Sequence, residues 1–168
     1  MKPFSILIVI ALLLFSSCNK KIKESTLKEK LKKPFIWEAA SIYFLLTDRF
    51  NNGDTANDIN FNRTMKTGKL RGFEGGDLKG ITQKIEAGYF TNLGVNAIWM
   101  TPVVEQIHGG TDEGTGVSYG YHGYWAKDWT AIDPNFGTKE DLKKLVQAAH
   151  KNGIRILLDA VINHTGPV

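Results

Sequence analysis

Apolar runs of strand length alternate along the chain with stretches of helical period. Residues 41–46, Ser-Ile-Tyr-Phe-Leu-Leu, form a short continuous apolar run of the kind expected for a strand covered on both faces. After an Asn-, Asp- and Gly-rich segment from 47 to 80, Ile81, Ile85, Tyr89, Phe90 and Leu93 recur at helical spacing. Gly94 follows where a left-handed C-terminal cap is expected, so the pattern predicts one helix. Residues 95–100 predict a second strand, ended by Thr101-Pro102 and followed by a loop containing Gly109, Gly110, Gly114 and Gly116. Thr138, with Asp141 three residues on, predicts a capped second helix whose apolar face is Leu142, Leu145, Val146 and Ala149. Gly153 ends it, and residues 154–162 predict a third strand.

The order strand, helix, strand, helix, strand implies parallel neighbours joined by right-handed crossovers, an α/β arrangement without internal repeats. Turns into the strands are tight at Gly94 and Gly153, while the strand-to-helix loops run to tens of residues. Every long loop therefore leaves a strand's C-terminal end. In parallel α/β folds that is the ligand edge.

The start of the chain follows another pattern. The apolar run at 4–14, behind Met1-Lys2, is too short to cross a hydrocarbon core, which needs about 20 helical residues, and reads as a secretory signal. It ends in Leu14-Phe15-Ser16-Ser17-Cys18, which resembles the lipobox cut by the bacterial lipoprotein signal peptidase. The expectation is a signal peptide over 1–17 and a lipidated Cys18 that anchors the protein to the membrane, in the cell envelope and at an outer-membrane face. An ordinary signal peptide with an incidental cysteine is the alternative. Residues 18–35 then read as a Lys-rich solvated tether, with contact to anionic lipid headgroups as the other reading, and 36–168 as the globular part.

Composition sharpens this division. The 168 residues are 42% apolar and 23% charged, enough for one domain with a core. The net charge of +4 resides in Lys2 and the Lys-rich stretch at 20–33, and the rest of the chain is net acidic. No nucleic-acid partner is expected. A single cysteine, Cys18, excludes an intramolecular disulfide and a Cys-based zinc site.

Four groups of residues fall on the predicted ligand edge. The first is Asn52-Gly53-Asp54-Thr55-Ala56-Asn57-Asp58, with Gly75-Gly76-Asp77 about twenty residues later. Closely spaced carboxylate, amide and carbonyl oxygens suit a hard cation with six to eight oxygen ligands, calcium above all, and equally suit a solvated turn-rich loop. The second is Tyr119-Gly120-Tyr121-His122-Gly123-Tyr124-Trp125. Rings and polar groups on a loop suit a sugar, whose CH face stacks on a ring, although Trp125 and Tyr124 also serve as loop anchors. The third, Asp159-Ala160-Val161-Ile162-Asn163-His164, places an acid in an apolar run, where burial demands a partner such as a guanidinium, and spacing puts Asp159 and Asn163 on one strand face. The fourth is Asp48-Arg49, where Arg49 is expected to brace the loop.

Taken together, Ile42 to Phe50, Gly75-Gly76-Asp77-Leu78-Lys79-Gly80-Ile81, Leu93 to Trp99, Gly120 to Trp125, Asp133 to Thr138 and Asp159 to His164 resemble the opening third of the α-amylase family of glycoside hydrolases. The resemblance implies the first three strands and two helices of a (β/α)8 TIM barrel, acting on α-glucans by a retaining mechanism. It implies that Asn52, Asp54, Asn57, Asp58, Gly75 and Asp77 hold a calcium ion and that Asn163 ligates a second one. Tyr124 matches a ring that stacks on the sugar, His122 and His164 match donors to that sugar, and Asp159 matches a buried supporting acid. None of these is the nucleophile.

In the resembled family the nucleophilic Asp, the acid/base Glu and a stabilising Asp follow strands four, five and seven. A retaining reaction needs two carboxyl groups about 5–5.5 Å apart, and a whole barrel typically needs about 250 residues. The expectation is therefore an inactive N-terminal part of an α-glucan hydrolase or transglycosylase, poorly soluble because strand edges and one sheet face stay open. A glucan-binding envelope lipoprotein without turnover and a calcium-stabilised module of another α/β fold are the alternatives.

Overall fold

A computed structural model describes residues 34–167. The expected signal peptide, the lipidation at Cys18 and the tether as far as residue 33 lie outside the described residues. In chain order the elements are β1 (Ile42–Leu45), the single turn α1 (Thr47–Phe50), α2 (Leu78–Glu86), the single turn α3 (Tyr89–Asn92), β2 (Ala97–Met100), β3 (Val104–Gln106), β4 (Thr111–Asp112), β5 (Val117–Ser118), β6 (Ala126–Ile132), α4 (Lys139–Lys151) and β7 (Arg155–Leu158).

The expected parallel sheet forms, in the order β1-β2-β7, with Phe44 opposite Trp99 and Trp99 opposite Leu157. Alternation sends Tyr43, Leu45, Ile98, Met100 and Ile156 to the face that packs with the helices. There they meet Leu78, Ile81, Ile85, Phe90, Leu145 and Ala149, all fully buried. The opposite face departs from the expectation of a strand covered on both sides. Ile42 is 50% exposed, Phe44 46% and Trp99 41%, because among the described residues every helix of the core lies on the other side.

Two expected elements are shorter than their patterns. The helix predicted to run on to Leu93 breaks after Glu86, where Gly88 takes a left-handed φ of +79° that no helix continues through. The break re-aims the chain so that Phe90 enters the core while Tyr89 and Leu93 stay exposed. The strand predicted over 154–162 stops at Leu158. Among the described residues it pairs only with β2, whose last paired residue is Met100, and Pro102 beyond has no N–H to offer. Ile162 is consequently 91% exposed.

The capped helix forms as expected. Asp141 N donates to Thr138 Oγ1 at 3.1 Å and Thr138 N to Asp141 Oδ2 at 3.0 Å, a reciprocal box that opens α4. The long segment between β2 and α4 is not a bare loop. It folds into the antiparallel pair β3–β6 and the short pair β4–β5, which the sequence pattern had not revealed.

Candidate functional site

The C-terminal ends of β1, β2 and β7 carry the loops that the sequence marked. The three residues expected to meet a sugar, His122, Tyr124 and His164, and the expected supporting acid Asp159 come together around Tyr124. Its hydroxyl donates to Asp159 Oδ2 at 2.9 Å, and its ring lies nearly parallel to that of His122, with centroids 5.9 Å apart at 19°. Tyr124 N donates to His122 Nδ1 at 3.0 Å, and His164 Nε2 donates to Tyr124 O at 3.1 Å.

The partners fix protonation. A His122 Nδ1 that accepts a main-chain N–H is unprotonated, so the proton of the neutral ring sits on Nε2, free to donate elsewhere. Burial agrees, since desolvation holds the His122 pKa below its ordinary value, with Arg49 adding to the effect and Glu113 opposing it. Tyr124 is pushed up to about 12 by desolvation and by its hydrogen bond to Asp159, so it remains a neutral donor. The pairing of Asp159 corrects an expectation: its partner is this phenol, not a guanidinium. Because β7 ends at Leu158, Asp159 lies outside the sheet, is only half-buried, and its relation to Asn163 is not set by strand alternation.

Arg49 braces the loops as expected. Its Nη2 donates to Leu70 O at 2.8 Å and Gly72 O at 2.9 Å, and its guanidinium stacks on the Tyr121 ring at 4.0 Å. Beside it, Asp48 is buried and accepts from Glu74 N and Gly75 N; desolvation outweighs those bonds and the Arg49 charge and raises its pKa to about 6.

The oxygen-rich loop also closes on itself. Asn52 Nδ2 donates to Asp58 Oδ1 at 2.8 Å, Asn57 Nδ2 to Asp77 Oδ2 at 3.0 Å, and Gly53 N to Asp77 Oδ1 at 3.1 Å. Asp54 pairs with Lys79 and accepts from Ala56 N. Gly75 sits against this group at φ +88°, where a Cβ would collide with the Asn52 and Asp58 side chains. One atom is left over: Asn57 Oδ1 is buried without a hydrogen-bond partner. Among the described residues no three His, Cys, Asp or Glu side chains converge as a metal cluster, so a cation here would draw on amide and main-chain oxygens as well. Asn163 is exposed and lines a cavity of about 570 Å³ with Trp129, Ile162, His164 and Thr165.

Sequence reasoning missed a buried ion pair. The Arg63 side chain, 1% exposed, pairs with Asp133, 0% exposed, through Nη1 to Oδ1 at 2.8 Å and Nη2 to Oδ2 at 2.7 Å. Asn135 and the main chain of Gln106 complete the group. Asp133-Pro134-Asn135 stood among the quoted motifs, but nothing marked Arg63 in its polar loop.

Comparison with known proteins agrees with this geometry. The family model described as the alpha amylase catalytic domain matches residues 44–168. The periplasmic alpha-amylase of Escherichia coli (strain K12) is 50% identical over 138 residues, 79% of this chain and 20% of its own length. A cyclomaltodextrin glucanotransferase of Geobacillus stearothermophilus is 41% identical over 128 residues, 75% of this chain and 18% of its own length. Among solved structures, the Geobacillus thermoleovorans alpha-amylase complexed with acarbose superposes with a TM-score of 0.60 at 40% identity, over 79% of this chain and 25% of that one. The gamma-cyclomaltodextrin glucanotransferase of alkalophilic Bacillus clarkii does so with a TM-score of 0.69 at 37% identity, over 76% and 19%. The chain thus spans about a fifth of the curated relatives it matches. With three parallel strands in barrel order and the Tyr124 cluster at their C-terminal rim, the chain belongs to the alpha-amylase catalytic-domain family and carries the opening part of its TIM-barrel fold.

Proposed function

We propose that this chain forms the glucan-holding rim of a retaining α-glucan glycoside hydrolase. The observation that carries the reading is the convergence of His122, Tyr124, Asp159 and His164 through direct hydrogen bonds and ring contact. An α-linked glucose unit offers a CH face to the Tyr124 ring and hydroxyls to His122 Nε2–H and to His164. Asp159 fixes the plane of Tyr124 through the phenol hydrogen bond and plays no part as nucleophile or acid. On the family resemblance, the nucleophile and acid/base belong to later strands, and residues 36–168 alone bind glucan without cleaving it. Starch and maltodextrin are the substrate class.

The oxygen-rich loop fits a calcium ion. Asn57 Oδ1 is a buried acceptor without a partner, and Asn52, Asp54, Asp58, Gly75 and Asp77 in the same hydrogen-bonded loop offer the hard oxygen donors such an ion prefers. Bound there, calcium supplies positive charge that holds like-charged loop oxygens together, and it takes no part in bond cleavage. Asn163 is assigned to a second such ion. Lipidated Cys18 and an envelope location complete the reading, in keeping with the periplasmic name of the Escherichia coli relative.

Calorimetric titration of the full chain with maltooligosaccharide tests it. Tyr124→Ala should weaken binding roughly tenfold or more, the loss of about 1.4 kcal/mol or more of stacking and hydrogen bonding. Binding that survives Tyr124→Ala unchanged overturns the assignment.

A further inference from the structure

Replacing a buried ion pair by apolar residues is often neutral or stabilising, so the Arg63–Asp133 pair calls for a reason beyond stability. The reason lies in what surrounds it. Arg63 Nη1 also donates to Asn135 Oδ1, and Nη2 to the carbonyls of Gln106 and Ile107, each at 3.1 Å. A guanidinium presents donors only, so the Asn135 amide must turn its oxygen toward Arg63 and its NH2 the other way. That NH2 donates to Asn57 O at 3.0 Å and to Asp58 O at 2.7 Å. Both carbonyls belong to residues whose side chains are in the proposed cation donor set, and Asn57 carries the unpartnered buried Oδ1. The Arg63 charge thus sets the orientation of Asn135, and Asn135 sets the main-chain position from which the Asn57 and Asp58 side chains project.

The same group holds the sugar side. Asp133 Oδ2 accepts from Gln106 N at 2.9 Å, and Gln106 Oε1 accepts from Trp125 N at 2.7 Å, next to Tyr124. The oxygen-rich loop and the ring-bearing segment are therefore fastened to one buried post.

We propose that Asn135, oriented by Arg63, is a positioning residue for the cation site, holding Asn57 and Asp58 in ligating geometry and in register with the Tyr124 segment. This rests on the calcium reading above. The test uses the full chain freed of metal with EDTA and titrated with calcium alone, with melting followed in EDTA and in calcium. Asn135→Asp keeps the shape and the acceptor for Arg63 but removes both N–H donors. Outer partners of metal ligands typically contribute 10–100-fold to affinity, so this variant should bind calcium roughly tenfold or more weakly and lose most of the calcium-linked rise in melting temperature. Its melting in EDTA should change far less. Asn135→Ser, smaller and uncharged, serves if Asn135→Asp does not fold. Wild-type binding of calcium with unchanged affinity in the variants, or equal loss of melting temperature with and without calcium, overturns the positioning role and leaves the cation site standing. Absence of any calcium effect on the wild type overturns both.

Discussion

The three-stranded sheet and the loop layer at its C-terminal rim have reversed polarity. On the open sheet face, Ile42, Phe44 and Trp99 are apolar and about half exposed, whereas in the loop layer Arg63, Asp133, Asn135 and Gln106 are polar and buried. A sheet face is completed by whatever packs across it, so its burial depends on distant chain. The loop layer meets the Arg63 guanidinium with Asp133 and three further acceptors, Asn135 Oδ1 and the carbonyls of Gln106 and Ile107, all from within the described residues. The loop layer at the C-terminal rim is thus held by contacts among the described residues, whereas the open sheet face is not covered by them.

The sharpest way to break that comparison is to remove the post. Arg63→Ala leaves Asp133 buried without its cation and should destabilise the chain by about 3–5 kcal/mol, read from the midpoint of urea unfolding. A loss of about 0.5 kcal/mol or less would mean that the loop layer is as unfinished as the sheet face. Next in size is a contrast across the sheet. Phe90, fully buried on the helix side, should cost about 3 kcal/mol on truncation to Ala, while Phe44→Ala on the open face stays within about 0.5 kcal/mol. Phe44→Glu should raise the soluble fraction on expression, since it interrupts an exposed apolar patch. A monodisperse, cooperatively melting wild-type chain would contradict the open-face account. Smaller again is Thr138→Ala, which removes the N-terminal cap of α4 and should cost about 1 kcal/mol by the same measurement.

What the sequence disclosed divides along the same line. The strands β1, β2 and β7 were legible because a continuous apolar run needs no partner to be recognised, and Thr138 with Asp141 was legible because capping is local. The ends of the elements were not, since Gly88 breaks a helix that the spacing of Tyr89 and Leu93 continues, and β7 stops where β2 has nothing left to pair. β3 and β6 escaped notice because their pairing is shifted at both steps, with no clean alternation to read. The ring-bearing loop of Tyr124 was legible from its residue types, while its grouping with Asp159 and His164 came from the family resemblance. The Arg63 post was not legible, because a buried cation in a polar loop looks like any solvated arginine until Asp133, seventy residues on, is seen beside it.

The smallest effect discriminates most finely between a ring that only anchors its loop and one poised to meet a ligand. His122 accepts from Tyr124 N through Nδ1, and desolvation lowers its pKa, with Arg49 on the same side of the balance and Glu113 against it. A histidine whose folded pKa is depressed contributes stability that is fully present above the unfolded value of about 6.5 and is lost as pH falls through the folded value. Titration of the imidazole resonances by NMR should therefore show His122 with a midpoint below about 6.5, and maltooligosaccharide binding should weaken on the acidic side as the Nδ1 acceptor is lost. His122→Gln should flatten the part of the binding profile that follows this midpoint while leaving the Arg63 post intact. A His122 midpoint at or above the ordinary value would place the ring in water, and the sugar-facing side of the rim would then be as open as the sheet face below it.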